Sequence, residues 1–238
     1  VCARARAQTG EGRAAMAVKY GSSFRITAVP SAIAAQLLAA AAMALMLVWI
    51  LHFRGGLALT SHDSERLFNA HPVLMLVGLI LCGGEALMAY KIVPWKRKVQ
   101  KFAHLSLHLA ALLLGSLGLY AVFKSHREKG TRDMYSLHSW VGLGAICLYA
   151  LQWLLGLFSF WWPRAEMPAR ANLVPWHGFA GVAIFLVAVC AAEMGLQERF
   201  NWLGLVRGKE ALVVNLTGVA TQLFAVAVVL TVILPRAW

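Results

Sequence analysis

The chain has 238 residues, 60% of them hydrophobic and 13% charged, with a formal net charge of +12. Soluble domains carry charge on about a quarter of their residues, so a water-soluble globular fold is excluded and a membrane protein is expected. The basic residues fall between apolar stretches with no soluble domain to present them, which points away from nucleic acid and towards lipid headgroups and small anions.

Residues 1–28 read as an N-terminal tail. Its first fifteen are basic and poor in apolar residues, they precede Met16, and they are read either as native tail or as residues upstream of a native start there. Six segments are then apolar over the roughly 20 residues that a helix needs to cross a hydrocarbon core: Val29–Phe53, Asn69–Tyr90, Lys101–Phe123, Ser136–Phe160, Val174–Gly195 and Leu212–Leu234. The expected fold is all-α and polytopic, a single domain over 29–234 followed by a short tail, 235–238. The first span is too long and too uniformly apolar for a cleaved signal. Short connections make neighbouring helices antiparallel and put both termini on one side.

Segment one starts with Pro30, which has no amide hydrogen to lose in a first turn, and runs to Trp49 and His52 before Arg54-Gly55-Gly56 ends it. His52 is expected at the interface, in water. Segment two opens Asn69-Ala70-His71-Pro72, a helix-start pattern with proline in the first turn. Gly78, Gly83 and Gly84 within it allow close helix contact or room for a flat ligand. The connection Lys91–Lys98 is the densest basic cluster, and positive loops mark the cytoplasmic side, so both termini are expected there. Segment three carries His104 and His108 four residues apart, on one helix face. A polar loop is expected from Lys124 to Tyr135, containing His126 and Arg127. Segment four opens Tyr-Ser-Leu-His-Ser-Trp at 135–140, with His138, and closes on the aromatic belt Trp161-Trp162-Pro163. The connection Arg164–Leu173 holds Arg170, and Pro175-Trp176-His177 opens segment five. Segment six has no histidine, so segments one and six are expected to flank a four-helix core, 69–195. Cys82, Cys147 and Cys190 lie in apolar segments and Cys2 in the tail, which suits small hydrophobes better than disulfides.

Four of the apolar segments thus open with a histidine: His71, His104, His138 and His177. An imidazole at that depth is costly unless its nitrogens find partners, which makes it a functional-site hypothesis by default. Because alternate spans run in opposite directions, His71 and His138 sort to one face of the membrane and His104 and His177 to the other. Two facing histidines are the usual way to hold a haem iron from both sides, and one helical turn inside each face leaves two such irons about 20 Å apart. Zinc or copper would want three or four converging ligands. A proton or ion pathway through the histidines, as in a transporter or proton channel, and a purely structural role remain as the other readings of the residues alone.

The chain resembles the eukaryotic cytochrome b561 family between about Phe68 and Gly195. The resemblance is carried by Asn-Ala-His-Pro at 69–72, His104 with His108, Lys-Ser-His-Arg-Glu-Lys-Gly at 124–130, Tyr-Ser-Leu-His-Ser-Trp at 135–140, Leu-Tyr-Ala-Leu-Gln-Trp at 148–153 and Pro-Trp-His at 175–177. It implies two haem b groups, one held by His71 and His138 on the non-cytoplasmic side and one by His104 and His177 on the cytoplasmic side; His108 is similar to a family histidine that binds no iron. It further implies an ascorbate-dependent oxidoreductase that passes electrons across a membrane. Ascorbate would be bound by Lys91, Lys98, Lys101 and Arg170, and the non-cytoplasmic acceptor, monodehydroascorbate or a ferric chelate, by Phe123, His126, Arg127 and Tyr135. The membrane implied is a vacuolar or vesicle membrane of the endomembrane system, with a homodimer formed through segments one and six.

Overall fold

The computed structural model describes residues 27–61 and 63–236. The tail expected over 1–28 lies almost wholly outside them, as do His62 and the last two residues of the C-terminal tail. Six helices are long and apolar enough to span a membrane: α1 (Val29–Phe53), α2 (Ser64–Ile92), α3 (Arg97–Lys129), α4 (Leu137–Trp161), α5 (Met167–Trp202) and α6 (Lys209–Ile233). No strand occurs among the described residues. The protein is all-α and multi-pass.

Several helices reach well past their apolar segments. α2 begins at Ser64, not at Asn69, because the Asp63 side chain caps it by accepting from the Glu65 amide at 2.9 Å. Pro72 therefore sits inside the helix, where it deletes one ladder bond, and the ladder widens to π geometry over Leu76–Cys82 shortly afterwards. α3 absorbs Lys98, Lys101 and the stretch expected as a loop from Lys124 to Lys129, and stops at Gly130 in the left-handed conformation, φ 66°. α5 starts at Met167 with Pro168 in its first turn and carries Pro175 in its interior, so Arg170 is a helix residue and not a loop one. At 1.5 Å per residue α5 is about 54 Å long, far beyond a hydrocarbon core of about 30 Å. His71, His104 and His177 consequently lie two to three turns inside their helices, deeper than their apolar segments alone implied, whereas His138 is in the first turn of α4.

Packing divides the bundle. α2 lies along α3 and α4 along α5, whereas α3 and α4 touch only slightly, which leaves space between two helical hairpins. α6 rests on α2 and α5, and α1 covers α6. The sixth helix is thus half buried and not simply a flanking one: Val214, Thr217, Thr221, Phe224 and Val228 all face inward. Val214, Phe224 and Val228 join Trp49, Ile50, Ile80, Met88, Phe185 and Val189 in the main core. Leu113, Leu117, Leu148, Leu151 and Leu155 point outward, as they must where lipid is the solvent. The Ala28 amide donates to the Pro235 carbonyl at 3.0 Å, so α1 begins where α6 ends. This is called the proximal end below, and the other the distal end.

At the distal end α1 is held by one buried side chain. Asn69, 2% exposed, donates from Nδ2 to the carbonyls of Arg54 at 3.0 Å and Gly56 at 2.8 Å, past the last turn of α1. Asn69→Ala would strand both acceptors, at a cost of about 1–3 kcal/mol. Thermal denaturation of the detergent-solubilised protein should show a lowered Tm, and an unchanged midpoint would mean that water replaces the amide without penalty.

Candidate functional site

The space between the hairpins is where the histidines meet. His71 of α2 and His138 of α4 face each other at the distal end with ring centroids 6.1 Å apart. His104 of α3 and His177 of α5 do so towards the proximal end at 6.2 Å. Each pair takes one residue from each hairpin.

What fixes the rings is the nitrogen that faces protein. His71 Nδ1 lies 3.1 Å from the Gly118 carbonyl, His104 Nδ1 2.8 Å from that of Ala86, and His138 Nδ1 2.8 Å from that of Ala191. A carbonyl can only accept, so Nδ1 carries the hydrogen in all three and Nε2 keeps its lone pair, the tautomer a metal ligand needs. His177 differs: its Nδ1 is 3.0 Å from Nε2 of Gln152, an amide that also donates to the His177 carbonyl at 2.7 Å. His108 sits against His104, ring centroids 4.5 Å apart, with Nδ1 bonded to the Tyr149 hydroxyl. It has no facing histidine.

Two glycines make room for the rings. A Cβ at Gly195 would stand 2.7 Å from Cε1 of His138, and one at Gly156 3.0 Å from Cε1 of His177. The distal pair opens on a cavity of about 440 Å³. Its inner walls are apolar, with Leu76, Leu79 and Ala188, and its outer part is lined by Phe68, Phe123, His126 and Tyr135.

Of the residues expected to meet the non-cytoplasmic acceptor, Phe123, His126 and Tyr135 therefore share the distal cavity with His71 and His138, while Arg127 is exposed and does not line it. His126 bonds Asp133 at 2.7 Å. The Tyr135 hydroxyl donates to Glu198 at 2.8 Å, and burial and that carboxylate push it up from its ordinary value, so it stays a donor. At the proximal end Lys101 reaches the Phe160 carbonyl and lies 5.5 Å from the Trp161 ring, with Arg164 and Arg170 near enough to act on its charge. The Phe160 ring in turn lies 5.1 Å from His177. Lys91 is turned elsewhere, donating to the Leu234 carbonyl at the end of α6, and Lys98 is exposed.

An ion held about 2.0–2.1 Å from each of two imidazole nitrogens puts the ring centroids roughly 6 Å apart, which both pairs match. Among the described residues no three of His, Cys, Asp or Glu converge on a point, so any metal here needs most of its ligands from elsewhere, as a porphyrin supplies them. The sequence profile described as eukaryotic cytochrome b561 matches residues 70–203, more than half of the chain and all four histidines. The chain belongs to this family.

A cytochrome b561 binds haem b. The relatives include a probable ascorbate-specific transmembrane electron transporter 1 from Oryza sativa subsp. japonica, 44% identical over 215 residues that make up 88% of this chain and 92% of the relative. Ascorbate-specific transmembrane electron transporter 2 of Zea mays is 42% identical over 220 residues, 90% and 93% of the two chains. Transmembrane ascorbate ferrireductase 2 of Arabidopsis thaliana is 41% identical over 197 residues, 81% and 86%.

Nothing in the sequence marks Gln152, Gly156, Gly195 or Phe160 as neighbours of the histidines. Gln152 lay in view inside the 148–153 motif, but only the α4–α5 contact reveals its partner. Filling the clearance beside His138 tests this site directly. Gly195→Leu should dislodge the imidazole and lower the haem b bound per protein, measured as pyridine haemochrome, whereas Gly144→Leu, with nothing within 4 Å, should leave it unchanged.

Proposed function

We propose that this cytochrome b561 carries electrons from ascorbate across its membrane, with one haem b between His71 and His138 and a second between His104 and His177. The observation that carries the two-site reading is the pair of matched imidazole separations, 6.1 and 6.2 Å, at different depths of one bundle. Relatives whose names specify ascorbate-specific transmembrane electron transport and ascorbate ferrireduction support the reaction class. When bound, each haem supplies a one-electron carrier whose potential is set by its axial ligands and their hydrogen bonds.

The chain's own residues do the rest. The Nδ1 bonds hold His71, His104 and His138 in the ligating tautomer, and the two imidazoles of each pair would hold a bound haem for electron transfer. At the proximal end Lys101 and Arg170, with Arg164 beside them, bring like charges together; an ascorbate monoanion relieves that repulsion and is concentrated there. Lys98 adds to the attraction from the surface, and Lys91, tied to α6, contributes field and not contact. The basic cluster marks the proximal end as cytoplasmic, so both termini face the cytoplasm of an endomembrane, vacuolar or vesicular. At the distal end Phe123, His126 and Tyr135 receive monodehydroascorbate or a ferric chelate, with Arg127 at the rim. His126 is held there by Asp133. The exposed faces of α1 and α6 supply a homodimer contact.

Single replacements separate the two sites. His71→Ala and His104→Ala should each remove about half of the haem b, and the double variant all of it; if one single replacement empties the protein, the two-site reading fails. Charge at the proximal end is tested independently. Lys101→Ala with Arg170→Ala should slow reduction by ascorbate several-fold at low ionic strength, with a smaller deficit in high salt and unchanged reduction by dithionite. Equal wild-type and variant rates at all salt concentrations would remove these residues from ascorbate binding.

A further inference from the structure

The distal end holds a charged cluster that the electron-transfer reading does not use. Glu65 of α2 accepts from Lys129 of α3 and from Arg199 of α5, both at 2.5 Å, and lies 3.7 Å from Arg54, which caps the end of α1. Arg54 is also 3.7 Å from Glu210 of α6, which accepts from Trp49 at 3.0 Å. Three cations thus share two carboxylates across four helices and the end of α1. Arg199 is the most enclosed, its side chain only 10% exposed, and of its five N–H donors the one bond described goes to Glu65. A cation that deep is stable only when its charge is well matched.

Arg199 and Lys129 also line the distal cavity. Their charged ends lie 4.4 and 5.6 Å from the ring centroid of Phe68, which lines it too. Arg199 follows Gly195, the residue against His138, by four positions, so it stands on the same face about 6 Å nearer the distal end. Phe68 precedes His71 by three and is displaced in the same sense along α2. The two carboxylates lining the cavity are already engaged, Asp133 by His126 and Glu198 by the hydroxyls of Tyr135 and Ser136. The cavity is therefore apolar at its inner end and carries excess positive charge one turn outside the imidazoles.

We propose that Arg199 and Lys129 form a carboxylate seat that holds the propionates of the distal haem and fixes which way round it enters. The proposal rests on the reading that His71 and His138 hold haem b. A haem is itself two-ended, with an apolar edge and an edge bearing two carboxylates, and only one orientation puts the carboxylates beside the cations. Glu65 is the internal stand-in: it shows that a carboxylate between Arg199 and Lys129 bonds both, and a propionate would share them with it in the same way. An anionic acceptor arriving from water has the same chemistry, so the test separates the two.

The test uses the purified holoprotein and resonance Raman spectra of its haem, read at the propionate-bending bands, with midpoint potentials from redox titration. Arg199→Gln and Lys129→Gln should each shift the propionate band of one haem and lower its midpoint potential while the second haem is unchanged; Arg199→Lys should restore part of the shift. If Arg199→Gln does not fold or loses its haem, Lys129→Gln and Arg199→Lys carry the comparison. Normal haem content with unmoved propionate bands in all three variants overturns the proposal. So does a change confined to the salt dependence of acceptor reduction, which would assign the cations to an anion from water. A wild-type protein that binds no haem sinks the underlying reading instead, so the two failures are distinguishable.

Discussion

The bundle depends on a constraint that every buried imidazole imposes: the nitrogen not offered to a ligand must still be bonded. The protein meets it across its closest helix pairs. α2 and α3 exchange such bonds, His71 to Gly118 in one direction and His104 to Ala86 in the other, while α4 and α5 hold His138 on Ala191 and His177 on Gln152. Each hairpin is thus a rigid carrier of two rings, one near each end, and the facing hairpin supplies the partners. α3 and α4 scarcely touch, while α2 meets α5 directly and both carry α6, so the hairpins are joined along one side and open where the rings face one another.

Charge is distributed to suit the same plan. At the proximal end Lys101, Arg164 and Arg170 are left near one another without a carboxylate bonded to Lys101, an arrangement that favours a visiting anion. At the distal end cations and carboxylates are interleaved, and Glu65 ties three helices to its own. One end is electrostatically unfinished and accessible; the other is cross-braced.

The spans and the four histidines were legible in the sequence because both signals are local: some twenty apolar residues in a row, and a polar ring where none is expected. Helix ends were less legible. Asn69–Pro72 has the look of a first turn, yet Asp63 supplies a better cap and the bundle tolerates Pro72 by letting the ladder slip to π geometry. Charge suggests loops at Arg170 and His126, whereas α3 and α5 keep their helical hydrogen bonds well beyond the apolar core. The family resemblance assigns Lys91 to ascorbate, and the partner that its side chain holds in the structure, the end of α6, lies 143 residues away. Contacts such as Gly195 against His138, or Arg199 with Glu65, leave no mark in a single sequence, since neither residue is unusual where it stands.

One asymmetry among the four rings bears on how such a protein can vary. Three of them lean on main-chain carbonyls, and a main-chain acceptor is present whatever residue occupies its position. The fourth leans on Gln152, whose replacement would change the donor or acceptor offered to His177 at a stroke. Drift in the sequence can therefore retune one imidazole by a single codon while the other three are sheltered from it.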